Sequence, residues 1–151
     1  PKIVEFNVRF GDPETQVVLP RLKTDLADVM LAVAEGRPDD IRLDWADEWA
    51  VCVVLASEGY PGSYEKGKVI LGIEEAEGIP GVTVFHAGTR VNADGELVTA
   101  GGRVLNVVAL GSSFEEARER AYEACDLINF EGKQLRNDIG KKALQGRSAW
   151  E

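Results

Sequence analysis

Ala50-Val51-Cys52-Val53-Val54-Leu55-Ala56 is an apolar run without a polar break. A run this short and this rich in valine reads as a strand buried on both faces. Gly59-Tyr60-Pro61-Gly62 ends it. Arg103-Val104-Leu105-Asn106-Val107-Val108-Ala109-Leu110 has the same character and offers it a partner. Between the two runs lie weaker strand signals. Val69-Ile70-Leu71 is a short one. Val82-Thr83-Val84-Phe85-His86-Ala87 alternates and leads to Asn92-Ala93-Asp94-Gly95. Asp-Gly is a hairpin signal because glycine takes positive φ cheaply, so Glu96-Leu97-Val98-Thr99 reads as the return strand. Gly101-Gly102 then turns the chain into the second apolar run. After it, Ser113-Phe114-Glu115-Glu116 is a capping box. Phe114, Ala117, Ala121, Ala124, Cys125 and Ile128 form one helical stripe behind that cap, while Glu115, Arg118, Glu119, Arg120 and Glu123 face water. Strands followed by a helix predict an α+β unit on a small antiparallel or mixed sheet.

Upstream, Val4, Phe6, Val8 and Phe10 alternate with Glu5, Asn7 and Arg9. A period of two predicts a strand with the three polar groups on one face. Pro13 ends it. Leu22, Leu26, Val29, Met30 and Val33 recur at helical spacing and predict a buried stripe, with Gly36 as the stop before Pro38. Arg37 to Glu48 is polar and acidic and reads as a loop or linker, with Trp45 and Trp49 covering the edge of the core. The segment from Lys141 to Leu144 reads as a single helical turn.

The 151 residues carry seventeen Lys and Arg against twenty-six Asp and Glu, a net charge of −9. Such a chain is a poor ligand for nucleic acid, whose binding rests on phosphate neutralisation. No apolar run approaches the ~20 residues that span a membrane. Cys52 and Cys125 sit in apolar segments and read as reduced core thiols of a cytoplasmic protein. One histidine and no Cys-x-x-Cys leave no material for zinc or a His-based triad. No Gly-rich phosphate loop is present.

Two clusters carry chemistry. Glu5 and Asn7 place a carboxylate and an amide side by side, hard oxygen ligands suited to Mg²⁺ between protein and nucleotide phosphates. Arg9, next along the same face, can neutralise a transferring phosphoryl group or serve as a structural ion pair. The alternative for all three is a solvated strand face. Asp12 can orient an amine or close a turn before Pro13. Gly102 and Arg103 combine close backbone approach with a planar phosphate-binding fork, or form a plain turn with a surface arginine. His86 reads as a satisfied core or edge histidine.

Glu5-x-Asn7-x-Arg9 resembles the metal-binding strand of ATP-grasp enzymes. Its continuation, Phe10-Gly11-Asp12-Pro13-Glu14, resembles the signature of the glycinamide ribonucleotide synthetase (phosphoribosylamine–glycine ligase) family. So do Gly59-Tyr60-Pro61-Gly62, Phe85-His86-Ala87-Gly88-Thr89, Gly101-Gly102-Arg103-Val104-Leu105 and Arg136-Asn137-Asp138-Ile139-Gly140. The resemblance implies residues 1–37 as the end of an ATP-grasp domain, 38–48 as a linker and 49–151 as the C-terminal domain. It implies ATP, glycine and phosphoribosylamine as substrates, with Mg²⁺ or Mn²⁺ on Glu5 and Asn7. It further implies Arg9 and Asp12 in catalysis, and Asp12, Gly102 and Arg103 on substrate. The chain opens at Pro1 directly on the strand, so the expectation is the C-terminal part of a longer enzyme, inactive alone. Two alternatives stand beside this: a non-catalytic substrate-binding or assembly module, and another ATP-grasp enzyme such as a biotin-dependent carboxylase.

Overall fold

A computed structural model of the chain describes residues 3, 6 and 8–145. β1 (Trp49–Ser57) and β5 (Arg103–Gly111) lie at the centre of a four-stranded sheet. β2 (Val82–His86) flanks β5, and the short β6 (Lys133–Gln134) flanks β1. Every pairing in this sheet is antiparallel. The expected long apolar strands are therefore the two that have neighbours on both sides. β3 (Thr89–Val91) and β4 (Leu97–Thr99) form a separate ribbon. Its turn is the one anticipated at Asn92–Gly95. Asn92 Oδ1 accepts from the amides of Asp94 and Glu96, and Gly95 sits at φ +82°. Val69 and Leu71 make only isolated bridges, to Val98 and Asn129, rather than the short strand expected.

α4 (Phe114–Leu127) packs across one face of the sheet, with the short α3 (Ile73–Glu77) against it. Val51, Val53, Leu55, Val104, Leu105, Val107 and Ala109 meet Ala117, Ala121, Ala124 and Cys125 there in one core. The small residues of the helix let it sit close to a valine-rich sheet. Each fully buried Val or Leu contributes about 1.5–3 kcal/mol relative to exposure. Ser113 caps the helix, its Oγ accepting from the Glu116 amide at 3.1 Å. At the other end, Lys133 Nζ donates to the carbonyls of Cys125 and Ile128, which satisfies acceptors that a helix end leaves open. Trp49 stands edge-on to Phe114 with ring centroids 5.9 Å apart, at the rim of this core.

The other face carries Cys52, Val54, Asn106, Val108, Thr83 and Phe85 by strand alternation. The short α1 (Glu14–Val18), followed by a 3₁₀ turn (Leu19–Arg21), lies over it. Beyond comes α2 (Leu26–Ala34), capped by Asp25, whose side chain accepts from the Ala27 amide at 2.7 Å. Residues expected to form a linker fold back here: Leu22 bridges Trp45, and Lys23 N donates to Asp44 O at 2.9 Å.

One expectation fails in this region, and another, the strand over Val4 to Phe10, lies partly outside the described residues, at Val4, Glu5 and Asn7. Val8 and Arg9 form a bend, and the side chains of Phe6 and Val8 are 83% and 95% exposed. A strand needs a neighbour, and none of the described residues runs alongside this one. The α2 stripe is also bare: Met30 and Val33 are 63% and 60% exposed, and within the helix only Ala32 is buried. The spacing identifies an apolar face correctly but does not say what covers it. Among the described residues no helix is long and apolar enough to cross a membrane.

The start of α4 carries a pH dependence. Glu116 is held below its ordinary carboxylate range, first by hydrogen bonds from the Ser112 hydroxyl and amide and then by Arg120. A lowered folded value means stability present above the unfolded value of about 4.3 and lost as pH falls through the folded one. Glu116→Gln is expected to lower stability at neutral pH. It should also flatten the acid limb below about pH 4.5. Urea unfolding at a series of pH values checks both.

Candidate substrate-binding site

β1 and β5 keep one register from Trp49↔Gly111 to Leu55↔Leu105, and then it shifts so that Ala56 stands opposite Arg103. A bulge of this kind reverses which residues face which side. Val104 and Leu105, adjacent in sequence, both enter the core under α4. Arg103 is thereby delivered to the opposite face, beside Val54 and Ala56. Strict alternation would have hidden it.

The Asp12 turn meets Arg103 on that face. Arg103 Nη1 donates to the Asp12 carbonyl at 2.8 Å, and Nη2 lies 3.2 Å from Asp12 Oδ2. These contacts occupy part of a five-donor fork. Asp12 does not cap α1: the cap position is Pro13, with no side-chain cap bond. Its Oδ1 instead accepts from Gln16 Nε2 at 2.9 Å. The turn is closed by Glu14, whose Oε2 accepts from the Gly11 amide at 2.7 Å, and by the Thr15 amide donating to Gly11 O at 3.0 Å. Glu14 is thus a local residue, and Asp12 is aimed across the gap.

Tyr60 completes the surface. A Cβ on Gly102 would lie 2.1 Å from Tyr60 Cδ2, so the ring rests where only glycine leaves room. Gly88 and Gly101 pass equally close, a Cβ on Gly88 falling 2.5 Å from Gly101 Cα. This joins the Phe85–Thr89 segment to the glycine turn through Gly88 N to Arg103 O and Ala100 N to Gly88 O. Ser57 Oγ donates to Gly101 O at 3.0 Å. The result is an open cleft of about 480 Å³ with an apolar floor of Val54, Ala56 and Leu135. Tyr60, Arg103, Gln134 and Arg136 form its polar rim. Its size is that of a small-molecule site.

Asp12, Gly102 and Arg103, 91 residues apart at the extremes of the ion pair, are therefore brought together. Arg9 is exposed beside the turn, its Nη1 donating to Phe10 O at 3.2 Å. Glu5 and Asn7 lie outside the described residues. Among the described residues no group of three or more His, Cys, Asp or Glu side chains could hold a metal. His86 ends an edge strand, its Nδ1 3.0 Å from Thr89 Oγ1, as an edge histidine should. The Lys66–Lys68 loop is pinned: Lys68 Nζ sits 2.9 Å from both Glu65 and Glu131. Cys52 and Cys125 are free and buried. The Cys52 thiol is pushed up to about 12, mainly by burial and secondarily by the charge of Asp12, which lies on its side of the sheet.

Gln134 and Arg136 are rim residues that sequence patterning did not single out as site residues. Gln134 Nε2 donates to the carbonyls of Ser57 and Tyr60, and Arg136 is tied to Asp138 by two bonds of 2.9 and 2.7 Å. The motif resemblance of Arg136 and Asp138 was the one available signal.

Comparison with known proteins adds the following. A family model described as "Phosphoribosylglycinamide synthetase, C domain" matches residues 50–142. The chloroplastic phosphoribosylamine–glycine ligase of Arabidopsis thaliana is 56% identical over 146 residues, covering 96% of this chain and 27% of that protein. The phosphoribosylamine–glycine ligase of Caldanaerobacter subterraneus is 52% identical, covering 92% of this chain and 32% of that protein. The crystal structure of phosphoribosylamine–glycine ligase from Thermotoga maritima superposes with a TM-score of 0.78 at 42% identity. It covers 92% of this chain and 33% of that one. The chain thus spans about a third or less of the length of these relatives.

Arg103→Ala is expected to release the Asp12 turn. A half-exposed ion pair is worth about 1 kcal/mol, so hydrogen exchange at the Thr15 amide should speed up about fivefold. Exchange at Val107, in the middle of β5, should not change.

Proposed function

The chain belongs to the phosphoribosylglycinamide synthetase C-domain family, and from that premise we propose that it is the C-terminal third of an ATP-dependent ligase joining glycine to 5-phosphoribosylamine in purine biosynthesis. The observation that carries the reading is the meeting of Asp12 with Arg103. An arginine fork next to a glycine turn suits the 5′-phosphate of phosphoribosylamine. A carboxylate held beside that fork suits its amine. The carboxylase alternative lacks this family's support.

In the reaction we propose, the γ-phosphoryl group of ATP passes to a glycine carboxylate oxygen and ADP leaves. The amine nitrogen of phosphoribosylamine then attacks the acyl carbon of the glycyl phosphate. It loses a proton, and phosphate departs. Catalysis of this kind is positioning plus charge neutralisation. Gly102 and Arg103 hold the ribose phosphate. Asp12 accepts a hydrogen bond from the amine and so aims its lone pair. Arg9 steadies the acyl phosphate. Glu5 and Asn7 are the residues that would hold Mg²⁺ or Mn²⁺, because carboxylate and amide oxygens are the hard ligands such ions prefer. When bound, that ion offsets the charge of the nucleotide phosphates.

The remaining two thirds of the longer protein would supply the adenine and triphosphate contacts. The exposed apolar face of α2 supports this, since Leu26, Met30, Leu31 and Val33 need a covering surface. On this reading residues 1–37 end the catalytic domain, 38–48 join it to the next, and 49–151 form the C-terminal domain. Buried free thiols fit a cytoplasmic setting. A binding module without turnover remains the second reading, favoured only by the chain's short share of its relatives' length.

In the full-length protein Arg103→Ala is expected to raise the KM for phosphoribosylamine about tenfold or more, the worth of one charged hydrogen-bond pair. The KM values for ATP and glycine should hold. An unchanged phosphoribosylamine KM would remove the phosphate role. Glu5→Ala and Asn7→Ala should each lower turnover by about 10²–10³ and raise the magnesium concentration needed for half-maximal rate. Magnesium titrations of the two variants decide this.

A further inference from the structure

Asn106 is the odd residue of β5. It sits in the middle of the sheet, fully buried, and neither Nδ2 nor Oδ1 has a hydrogen-bond partner among the described residues. Leaving a buried amide unpaired costs about 1–3 kcal/mol for each such group. An apolar residue of similar size would fit the strand without that cost, so the amide calls for a reason. Its cross-strand neighbours are Val54 on one side and Phe85 on the other. All three point away from α4, towards the face that α1 covers. Val54 lines the Arg103 cleft. Phe85 lines a second cleft of about 580 Å³ on the far side, together with Gln16. Gln16 has an orphan of its own: Oε1 is buried and unpartnered, while Nε2 holds Asp12 Oδ1 at 2.9 Å.

Three unpartnered polar atoms, one donor and two acceptors, thus belong to residues on the same face beneath the Asp12 turn. One buried water would satisfy all three by accepting from Asn106 Nδ2 and donating to Asn106 Oδ1 and Gln16 Oε1. Three such bonds are the usual complement of an internal water. We propose that Asn106 and Gln16 are positioning residues for Asp12: Asn106, through one buried water, fixes the Gln16 amide, and Gln16 fixes the Asp12 carboxylate against Arg103. With the Gln16 carbonyl anchored, its Nε2 is presented to Asp12, and the carboxylate cannot rotate away from the amine it receives. This rests on the reading of Asp12 and Arg103 as the phosphoribosylamine site.

The test uses the full-length ligase with Asn106→Leu, Gln16→Met and, as reference, Asp12→Asn. All three variants should raise the KM for phosphoribosylamine. About tenfold is expected for Asn106→Leu and Gln16→Met, the worth of one hydrogen bond to a charged group. For Asn106→Leu and Gln16→Met the KM values for ATP and glycine should stay within about twofold. Asn106→Leu should also lower the thermal midpoint, because it leaves the water and Gln16 Oε1 short of partners, so the KM for phosphoribosylamine is the readout that decides. A merely structural asparagine would lose stability and leave the KM alone. A high-resolution crystal structure should show one ordered water between the two amides. The proposal is overturned if Asp12→Asn raises the phosphoribosylamine KM while Gln16→Met and Asn106→Leu do not, or if no water joins the amides. If Asn106→Leu does not fold, Gln16→Met and the water decide. If Asp12→Asn itself has no effect on that KM, the substrate reading beneath the proposal is what has failed, and the proposal falls with it.

Discussion

Everything in this chain hangs on the pairing of β1 with β5. Seven residue pairs hold one register, and then the register slips at Leu55/Ala56. The regular part builds the core: its inward residues are valines, leucines and alanines that α4 covers. The slip builds the cleft. A single extra residue sends Val104 and Leu105 inward together and turns Arg103 out to the other face. The same end of β1 carries Ser57, which ties down Gly101 and Gly102 through its hydroxyl and amide. Scaffold and cleft are thus parts of one ladder, and the cleft begins where the ladder becomes irregular.

The contact between Asp12 and Arg103 is of a different kind. Both side chains are close to half exposed, and such a pair contributes about 1 kcal/mol or less to folding. Stability does not explain why two motifs so distant in sequence converge there. The Asn106 amide and the Gln16 carbonyl, buried with no protein partner among the described residues, sit on the same face. The core is packed with apolar side chains under α4, and the unpaired polar atoms gather on the opposite face. Separation of this sort is common where a site is held in place by a rigid scaffold.

Much was legible without coordinates. The two apolar strands, the Asp-Gly turn and the capped α4 all follow from local rules, because each signal acts within a few residues. The clusters at Asp12 and at Gly102-Arg103 stood out by residue type, and the structure brings them into contact. The stripe on α2 was legible as apolar, but its burial was not. Leu22 found a partner in Trp45, whereas Met30 and Val33 stand in water. Periodicity reports the shape of a face and is silent about its neighbour. Before Pro13, likewise, alternation permits a strand, but only an adjacent strand makes one, and among the described residues none runs alongside. Val8 and Arg9 bend instead.

By itself, then, the sequence determined the elements that rest on short-range physics. It set the strand cores by hydrophobic run length, the helix start by Ser113 and Glu116, and the hairpin by Asn92 to Gly95. It also determined the residue types available for chemistry. Only the tertiary structure decided which of them meet. The bulge at Ala56 is a property of two strands and has no signature in either, yet it chooses the face that Arg103 occupies. The closure of Tyr60 over Gly102, and of Asp12 on Arg103, depends on loops brought together across the sheet. Such contacts form between residues distant in sequence, and no local rule constrains them.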